Sequence, residues 1–276
     1  MMRVSARAAI VDGLGRQVDL ESPPRAIVSL VPSLTEALVT MGLRENLVGR
    51  TAYCVQPTGS VDAIPTIGGT KTPDVVRIVA LRPDLVIASA EENVREHVEA
   101  LLSAGLSVYI SLPTTVERAL RELEDIARLV DRQAAARPWI DEAHDTVAEF
   151  KRGRPHARRR YFCPIWRRPY MVARHDTYMS DLLHLCSGDS IFPEDGPAHY
   201  FPVELAEVAQ RAPDVVLLPD EPYPFAAKHI PEIAALSEIP AVRDGRVHLI
   251  DGQSITWYGP RIAPSLRALA RLLRAG

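Results

Sequence analysis

The chain carries the same short phrase twice. Ile78-Val79-Ala80-Leu81-Arg82-Pro83-Asp84-Leu85-Val86-Ile87-Ala88 reads as the end of a helix, a Pro-Asp turn and an apolar run. Val208-Ala209-Gln210-Arg211-Ala212-Pro213-Asp214-Val215-Val216-Leu217-Leu218 follows the same grammar. Proline lacks the amide that a helix needs and biases the residue before it away from helical geometry. Each copy therefore stops a helix abruptly and starts a buried strand. Two copies in 276 residues imply two lobes of similar build, and a cleft between lobes is a place where small molecules bind.

The rest of the chain fits two α/β lobes. Strand patterns fall at 25–30, 85–88 and 108–112, and helical periodicity at 75–81, 94–104 and 116–130. Asp12-Gly13-Leu14-Gly15 reads as the turn of a hairpin between 8–11 and 17–20, with Asp-Gly supplying the turn geometry. Pro32-Ser33-Leu34-Thr35-Glu36 predicts a helix start in which Ser33 is the N-cap and Glu36 completes a capping box. The second half repeats the plan, with strands at 160–165, 215–218 and 247–250 and helices at 177–186, 203–211 and 262–273. Strands alternating with helices argue for mostly parallel sheets covered on both faces. Between the halves, 115–151 contains no glycine and is rich in Ala, Leu, Arg and Glu, so it predicts a helical bridge. One helix is expected to about Asp131 and a second from about Arg132 or later to Lys151, with Pro138 splitting or kinking the stretch unless it occupies a first turn. The expected organisation is an N-terminal lobe over 1–114, a bridge over 115–153 and a C-terminal lobe over 154–276.

Composition narrows the function. A net charge of −3 offers no electrostatic footprint for nucleic acid, and the cluster Arg152, Arg154, Arg158, Arg159, Arg160 reads as a solvated connector. The three cysteines, Cys54, Cys163 and Cys186, form no C-x-x-C pair, so neither a zinc site nor a disulfide framework is expected. No apolar stretch approaches the roughly 18 residues of a membrane span, so no membrane insertion is expected. After Arg3 and Arg7 the apolar run ends at Asp12, too short for a signal peptide, which places the chain as written in the cytoplasm. Enzyme motifs are weak: Gly68-Gly69-Thr70-Lys71-Thr72 lacks the Gly-Lys pair of a phosphate loop, and no G-x-S-x-G elbow occurs.

Several strings resemble the cobalamin and iron-siderophore substrate-binding proteins of bacterial ABC importers, the helical-backbone metal receptors. They are Arg25-Ala26-Ile27-Val28-Ser29-Leu30-Val31-Pro32-Ser33-Leu34-Thr35-Glu36, Leu47-Val48-Gly49 with the first Pro-Asp unit, and Tyr178-Met179-Ser180-Asp181-Leu182-Leu183. The resemblance implies two Rossmann-like lobes joined by a long backbone helix, as in class III periplasmic binding proteins, with a non-enzymatic ligand site between them. It implies a metal chelate as ligand: cobalamin first, haem or a ferric siderophore next, with no catalytic cofactor. It also implies an ABC permease as partner, docked through a glutamate on each lobe. At those two positions this chain has Val76 and Ala206. The segments Glu221-Pro222-Tyr223-Pro224-Phe225 and 251–261 resemble the cytoplasmic-looking members of the group.

Ligands of open α/β sheets sit beyond the carboxyl ends of the strands. Aromatic residues gather in the loops expected there, although only 6 % of the chain is aromatic. Pro32, Ser33, Tyr53, Trp166, Tyr178, Tyr200, Tyr223, Phe225, Trp257 and Tyr258 are the candidate ligand-binding residues, because rings give large contact area to a flat macrocycle at low entropy cost. Packing within the lobes is the alternative reading of the same rings. Arg167 and Arg261 are candidates for meeting ligand carboxylate or phosphate. No dedicated metal site is expected; His199 and His229 are weak candidates as neutral imidazole ligands, and Tyr53 or Tyr200 as a ferric ligand. Two other readings stay open: an enzyme acting on such a chelate with Glu221 and His229 as acid and base, and a protein-interaction module that kept the fold without the ligand.

Overall fold

The computed structural model describes residues 10–152, 157–193, 196 and 198–274. Residues Arg3, Arg7, Ala8, Ala9 and Arg154, which entered the sequence expectations, lie outside the described residues. The chain divides into two compact units. One holds the residues up to Pro113, Arg118–Asp141 and Tyr258–Pro260; the other holds Thr114–Glu117, Glu142–Trp257 and the chain from Arg261 on.

In the first unit, β1 (Ile10–Val11) and β2 (Gln17–Val18) form an antiparallel hairpin. The main sheet is built from β3 (Ile27–Ser29), β4 (Leu47–Arg50), β5 (Leu85–Ser89) and β6 (Val108–Ser111), all parallel, in the order β4-β3-β5-β6. Helices α1 (Pro32–Thr40), α2 (Val75–Leu81) and α3 (Arg95–Ser103) make the crossovers. Val28, Leu30, Val86 and Val108 pack with Ile67, Ile78, Val98 and Leu101 as one buried core. Helices α4 (Val116–Leu129) and α5 (Gln133–Arg152) follow, and the division of the chain falls inside both.

The second unit repeats the topology. Strands β7 (Arg159–Phe162), β10 (Gly188–Ser190), β12 (Val215–Pro219) and β13 (Val247–Ile250) form a parallel sheet in the order β10-β7-β12-β13. In both sheets the first strand has the second on one side and the third on the other. The second unit adds an antiparallel sheet of β8 (Pro164–Trp166), β9 (Tyr170–Ala173) and β11 (Tyr200–Val203), ordered β11-β9-β8. Its inner side chains Tyr170, Val172, Phe201 and Val203 join Phe162, Phe192, Val208 and Val216 in the core. Helices α6 (Tyr178–Leu185), α7 (Leu205–Arg211), α8 (Ile230–Ala234), α9 (Pro240–Arg243), α10 (Gln253–Thr256) and α11 (Ile262–Arg274) complete it.

The repeated phrase folds the same way in each unit. Arg82 and Ala212 close α2 and α7 in the left-handed region, both at φ 47°. Asp84 donates its amide to the Ala26 carbonyl at 2.8 Å, and its carboxylate accepts the amides of Arg25 and Ala26 at 2.7 and 2.9 Å. Asp214 likewise donates to the Arg160 carbonyl at 2.7 Å and accepts the Arg160 amide at 2.9 Å. In both units the aspartate ties the third strand to the start of the first.

Several local expectations are corrected. Val31, not Ser33, is the N-cap of α1, and no side chain caps it. Pro32 occupies the first turn, where its missing amide costs nothing, and this moves Ser33 into the helix. The turn between β1 and β2 takes its left-handed residue at Gly15 (φ 80°), not at Gly13. Gly13 instead lies flat on β6: a Cβ there would sit 2.4 Å from the Leu112 nitrogen. The break in the long helical stretch falls at Asp131 (φ 56°), as the sequence predicts, while α5 continues through Pro138 rather than splitting there. Pro138 lies in the second turn, so one carbonyl loses its partner while the later ladder holds the helix. The span 203–211 divides, because Val203 completes β11 before α7 begins. The antiparallel sheet was not foreseen, since short mixed strands such as 164–166 carry no clear period. The arginine connector is partly engaged: Arg158 pairs with Asp189 at 2.8 Å, and Arg159 and Arg160 belong to β7.

Candidate functional site

Strand order reverses at β3 in the first unit and at β7 in the second. Crevices form where connections leave such a strand and its third neighbour on opposite sides. In the second unit, the chain leaves β7 into β8, and the loop after β12 returns beside it: the Tyr223 amide donates to the Ile165 carbonyl at 3.3 Å. This join assembles an aromatic cluster. Trp166 meets Tyr223 edge-on at 5.7 Å between centroids, and Tyr223 meets Phe225 at 4.7 Å. Phe225 stacks on Tyr170 at 6.4 Å, and His229 stands edge-on to both Tyr223 and Phe225 at 5.4 and 5.6 Å.

Polar groups brace the cluster from one side. Arg167, next to Trp166 on the β8–β9 hairpin, holds Glu232 of α8 with Nε and Nη2 at 2.8 and 2.6 Å. Arg167 also interacts with the Tyr223 hydroxyl. Burial, outweighing Arg167, pushes the Tyr170 phenol up to about 12. His229 is buried, and its Nδ1 accepts the Ala226 amide at 2.9 Å while Nε2 lies 3.4 Å from the Tyr223 hydroxyl. An Nδ1 that accepts leaves the ring proton on Nε2. Burial, with the Lys228 and Arg167 charges, lowers the imidazole below its usual 6.5. This geometry uses both ring nitrogens inside the cluster, which leaves no lone pair directed at a metal.

The third strand's loop also holds Glu221. Its Oε1 accepts the Trp257 indole N–H at 2.7 Å and the Thr256 hydroxyl at 3.4 Å. Burial raises the Glu221 carboxyl above its ordinary range, with Trp257 and Gln253 acting against it. Gly252 permits this approach, because a Cβ would fall 2.5 Å from the Glu221 carbonyl oxygen. Arg261 lies 5.3 Å from the Trp257 ring and 3.8 Å from Asp251. Trp257 is thus a fixed, buried ring (6 % exposed). Glu221 holds it in place.

In the first unit, Tyr258 is buried and its hydroxyl lies 3.0 Å from Ser111 Oγ, which donates to Glu122 at 2.5 Å. Pro32 and Ser33 are buried in the first turn of α1. The loop after β4 behaves differently. Thr51 and Cys54 are buried, while Tyr53 between them is 63 % exposed. Cys54 Sγ sits 3.0 and 3.1 Å from the hydroxyls of Thr35 and Thr51, and burial raises its thiol.

The candidates therefore separate into two groups. Tyr53 and Trp166 (44 % exposed) are the large rings left on the surface among the described residues, and Tyr223 and Tyr200 are half-buried. Tyr178, Phe225, Trp257 and Tyr258 are buried. Tyr178 opens α6 with a phenol raised by burial. His199 is exposed, 4.0 Å from Asp176. Among the described residues no three His, Cys, Asp or Glu side chains gather as a metal cluster. Sequence reasoning missed Glu232, Glu122 and Arg50. Glu232 had a local signal, an acid one residue after the Pro231 that opens a helix; the others are revealed by their partners alone.

The chain is built of two α/β units of one topology, and the division between them falls inside α5. Residues 27–254 match the periplasmic binding protein family, and the chain belongs to that family. It is 26 % identical over 250 residues to the vitamin B12-binding protein of Vibrio parahaemolyticus, covering 87 % of this chain and 86 % of that one. The periplasmic vitamin B12 binding protein BtuF of Vibrio cholerae superposes with a TM-score of 0.78 at 22 % identity, over 91 % of this chain and 97 % of that one. The periplasmic heme-binding protein RhuT of Roseiflexus superposes at 0.77 and 20 %, over 91 % and 98 %. The family consists of substrate-binding proteins rather than enzymes, and in this chain Glu221 and His229 accept from the Trp257 indole and the Ala226 amide. Its periplasmic setting lends no support to the cytoplasmic placement expected from the N-terminus. Among the described residues no helix is long and apolar enough to cross a membrane.

Proposed function

We propose that the chain reversibly binds a metal chelate, cobalamin first and haem or a ferric siderophore next, and releases it unchanged as cargo. One observation carries this reading: each unit keeps one large ring exposed on the carboxyl-end loops of its strands, Tyr53 after β4 and Trp166 at the end of β8. Exposed rings on fixed supports suit the face of a macrocycle, because little side-chain freedom remains to be lost. The relatives named for vitamin B12 and heme favour the same ligand class. Arg167 orients Tyr223 rather than meeting the ligand, since Glu232 already occupies it. Val76 (81 % exposed) and Ala206 stand on equivalent turns of α2 and α7, so a permease reaching those positions meets apolar side chains.

The test is a thermal-shift panel of cobalamin, cobinamide, haem and ferric siderophores, because tight binding to the native state must raise Tm. A ligand at 100-fold over Kd adds about 2.7 kcal/mol. Tyr53→Ala and Trp166→Ala are expected to weaken whichever chelate scores, with Tm of the free protein nearly unchanged. If no chelate shifts Tm, the reading fails and the interaction-module alternative takes its place.

A further inference from the structure

We infer that Arg50 is a positioning residue: its buried guanidinium holds the 51–65 loop in the shape that presents the Tyr53 ring. The consequence for ligand rests on the chelate-binding reading above; the consequence for the loop does not.

Arg50 ends β4 and is 9 % exposed. Its Nε donates to the Val61 carbonyl at 2.8 Å, and its Nη1 donates to the carbonyls of Thr51 and Cys54, both at 3.2 Å. One nitrogen thus joins the backbone on either side of Ala52 and Tyr53. All three acceptors are main-chain oxygens of a loop that forms no helix or strand; the Thr51 and Val61 carbonyls also accept the Cys54 and Ile64 amides of local turns, and the guanidinium joins these turns to one another. The main chain of Arg50 adds two ties, its amide to Pro65 at 3.0 Å and its carbonyl to Ile67 at 2.8 Å. Between these anchors Ala52, Tyr53 and Val55 face solvent.

A buried guanidinium is costly unless its donors are used, and its planar fork reaches several acceptors at fixed angles. Lysine offers a single point of donation and cannot span Val61, Thr51 and Cys54 together. Without the fork, the loop keeps its ends and loses its cross-tie. Tyr53 then samples more positions, and a ligand must order it on binding.

The experiment compares the wild type with Arg50→Lys, Arg50→Met, Tyr53→Ala and the Arg50→Lys/Tyr53→Ala double variant. Hydrogen exchange on the ligand-free proteins reads the loop. In Arg50→Lys, amides of 51–55 are expected to exchange about tenfold faster, while those of β3 and β5 keep their protection. Binding of hydroxocobalamin and of hemin is followed by visible absorbance. Arg50→Lys should weaken the probe that binds by about tenfold, and Tyr53→Ala should abolish any further effect of it. Strictly additive losses overturn the positioning role, because a merely destabilising change does not depend on the Tyr53 ring. Unchanged loop exchange overturns it too. Should Arg50→Met fail to fold, Arg50→Lys carries both readings. If the wild type binds neither probe, the chelate reading falls, and loop exchange alone decides the role of Arg50.

Discussion

Asp84 and Asp214 each close a strand-to-strand tie with a single carboxylate. Asp84 holds two amides and Asp214 one. These amides are exposed and water can replace the carboxylate, so losing the bonds costs about 0.5–1.5 kcal/mol. Asp84→Ala is therefore expected to lower unfolding free energy by that amount and Asp214→Ala by less, as read from urea midpoints. Arg82 and Ala212 precede the two prolines in left-handed backbone that glycine adopts without strain. Arg82→Gly or Ala212→Gly should stabilise by about 0.5–1 kcal/mol, the relief of strain exceeding glycine's entropy cost. His229 gives a pH signature. Its folded form favours neutral imidazole, so its contribution is full above pH 6.5 and is lost as pH falls through the lowered folded value. His229→Asn should flatten the fall in stability below pH 6.5, seen in denaturation curves at several pH values.

At the scale of elements, α2 and α7 show how closely the duplication runs. From Pro73 to Ala90 and from Val203 to Asp220, burial follows nearly the same order residue by residue, although few side chains match. Ile78 and Val208 are the buried residues of the two helices. The periodic apolar positions and the Pro-Asp turns made this much legible, because local sterics and burial act on neighbours in sequence. The β6–α4 pair was not legible. Glu122 accepts from Ser111 and from the Leu112 amide and pairs with Arg118, and burial still raises its carboxyl. A raised carboxyl contributes most below 4.5 and loses that contribution as pH climbs through the folded value. Glu122→Gln keeps an acceptor without the charge, so its stability relative to wild type should improve from pH 4.5 to neutrality in the same denaturation assay.

For the whole molecule, the sequence pointed to duplicated α/β units and to a family of chelate receptors, and the fold and the family match agree with both. The candidate site was legible in its residue types and not in their roles. Rings were expected to gather at the carboxyl ends of strands, and Trp166, Tyr223 and Phe225 do so around β8 and the loop after β12. The sequence placed Trp257 ahead of Tyr53 as a candidate ligand-binding ring. Burial separates them: Trp257→Ala should lower Tm by removing a buried ring bonded to Glu221, whereas Tyr53→Ala should act on ligand affinity. A core ring of that size costs about 3–5 kcal/mol when truncated.

What the sequence determined alone was everything that neighbouring residues impose on each other: where proline stops a helix, where an apolar run becomes a strand, and that the plan occurs twice. Tertiary structure decided which rings face water, that Arg167 and Arg50 are taken by Glu232 and by loop carbonyls, and that His229 uses both its nitrogens. Those outcomes depend on partners brought from distant positions, as Tyr223 is brought to Ile165 and Trp257 to Glu221, and no local pattern encodes such a meeting.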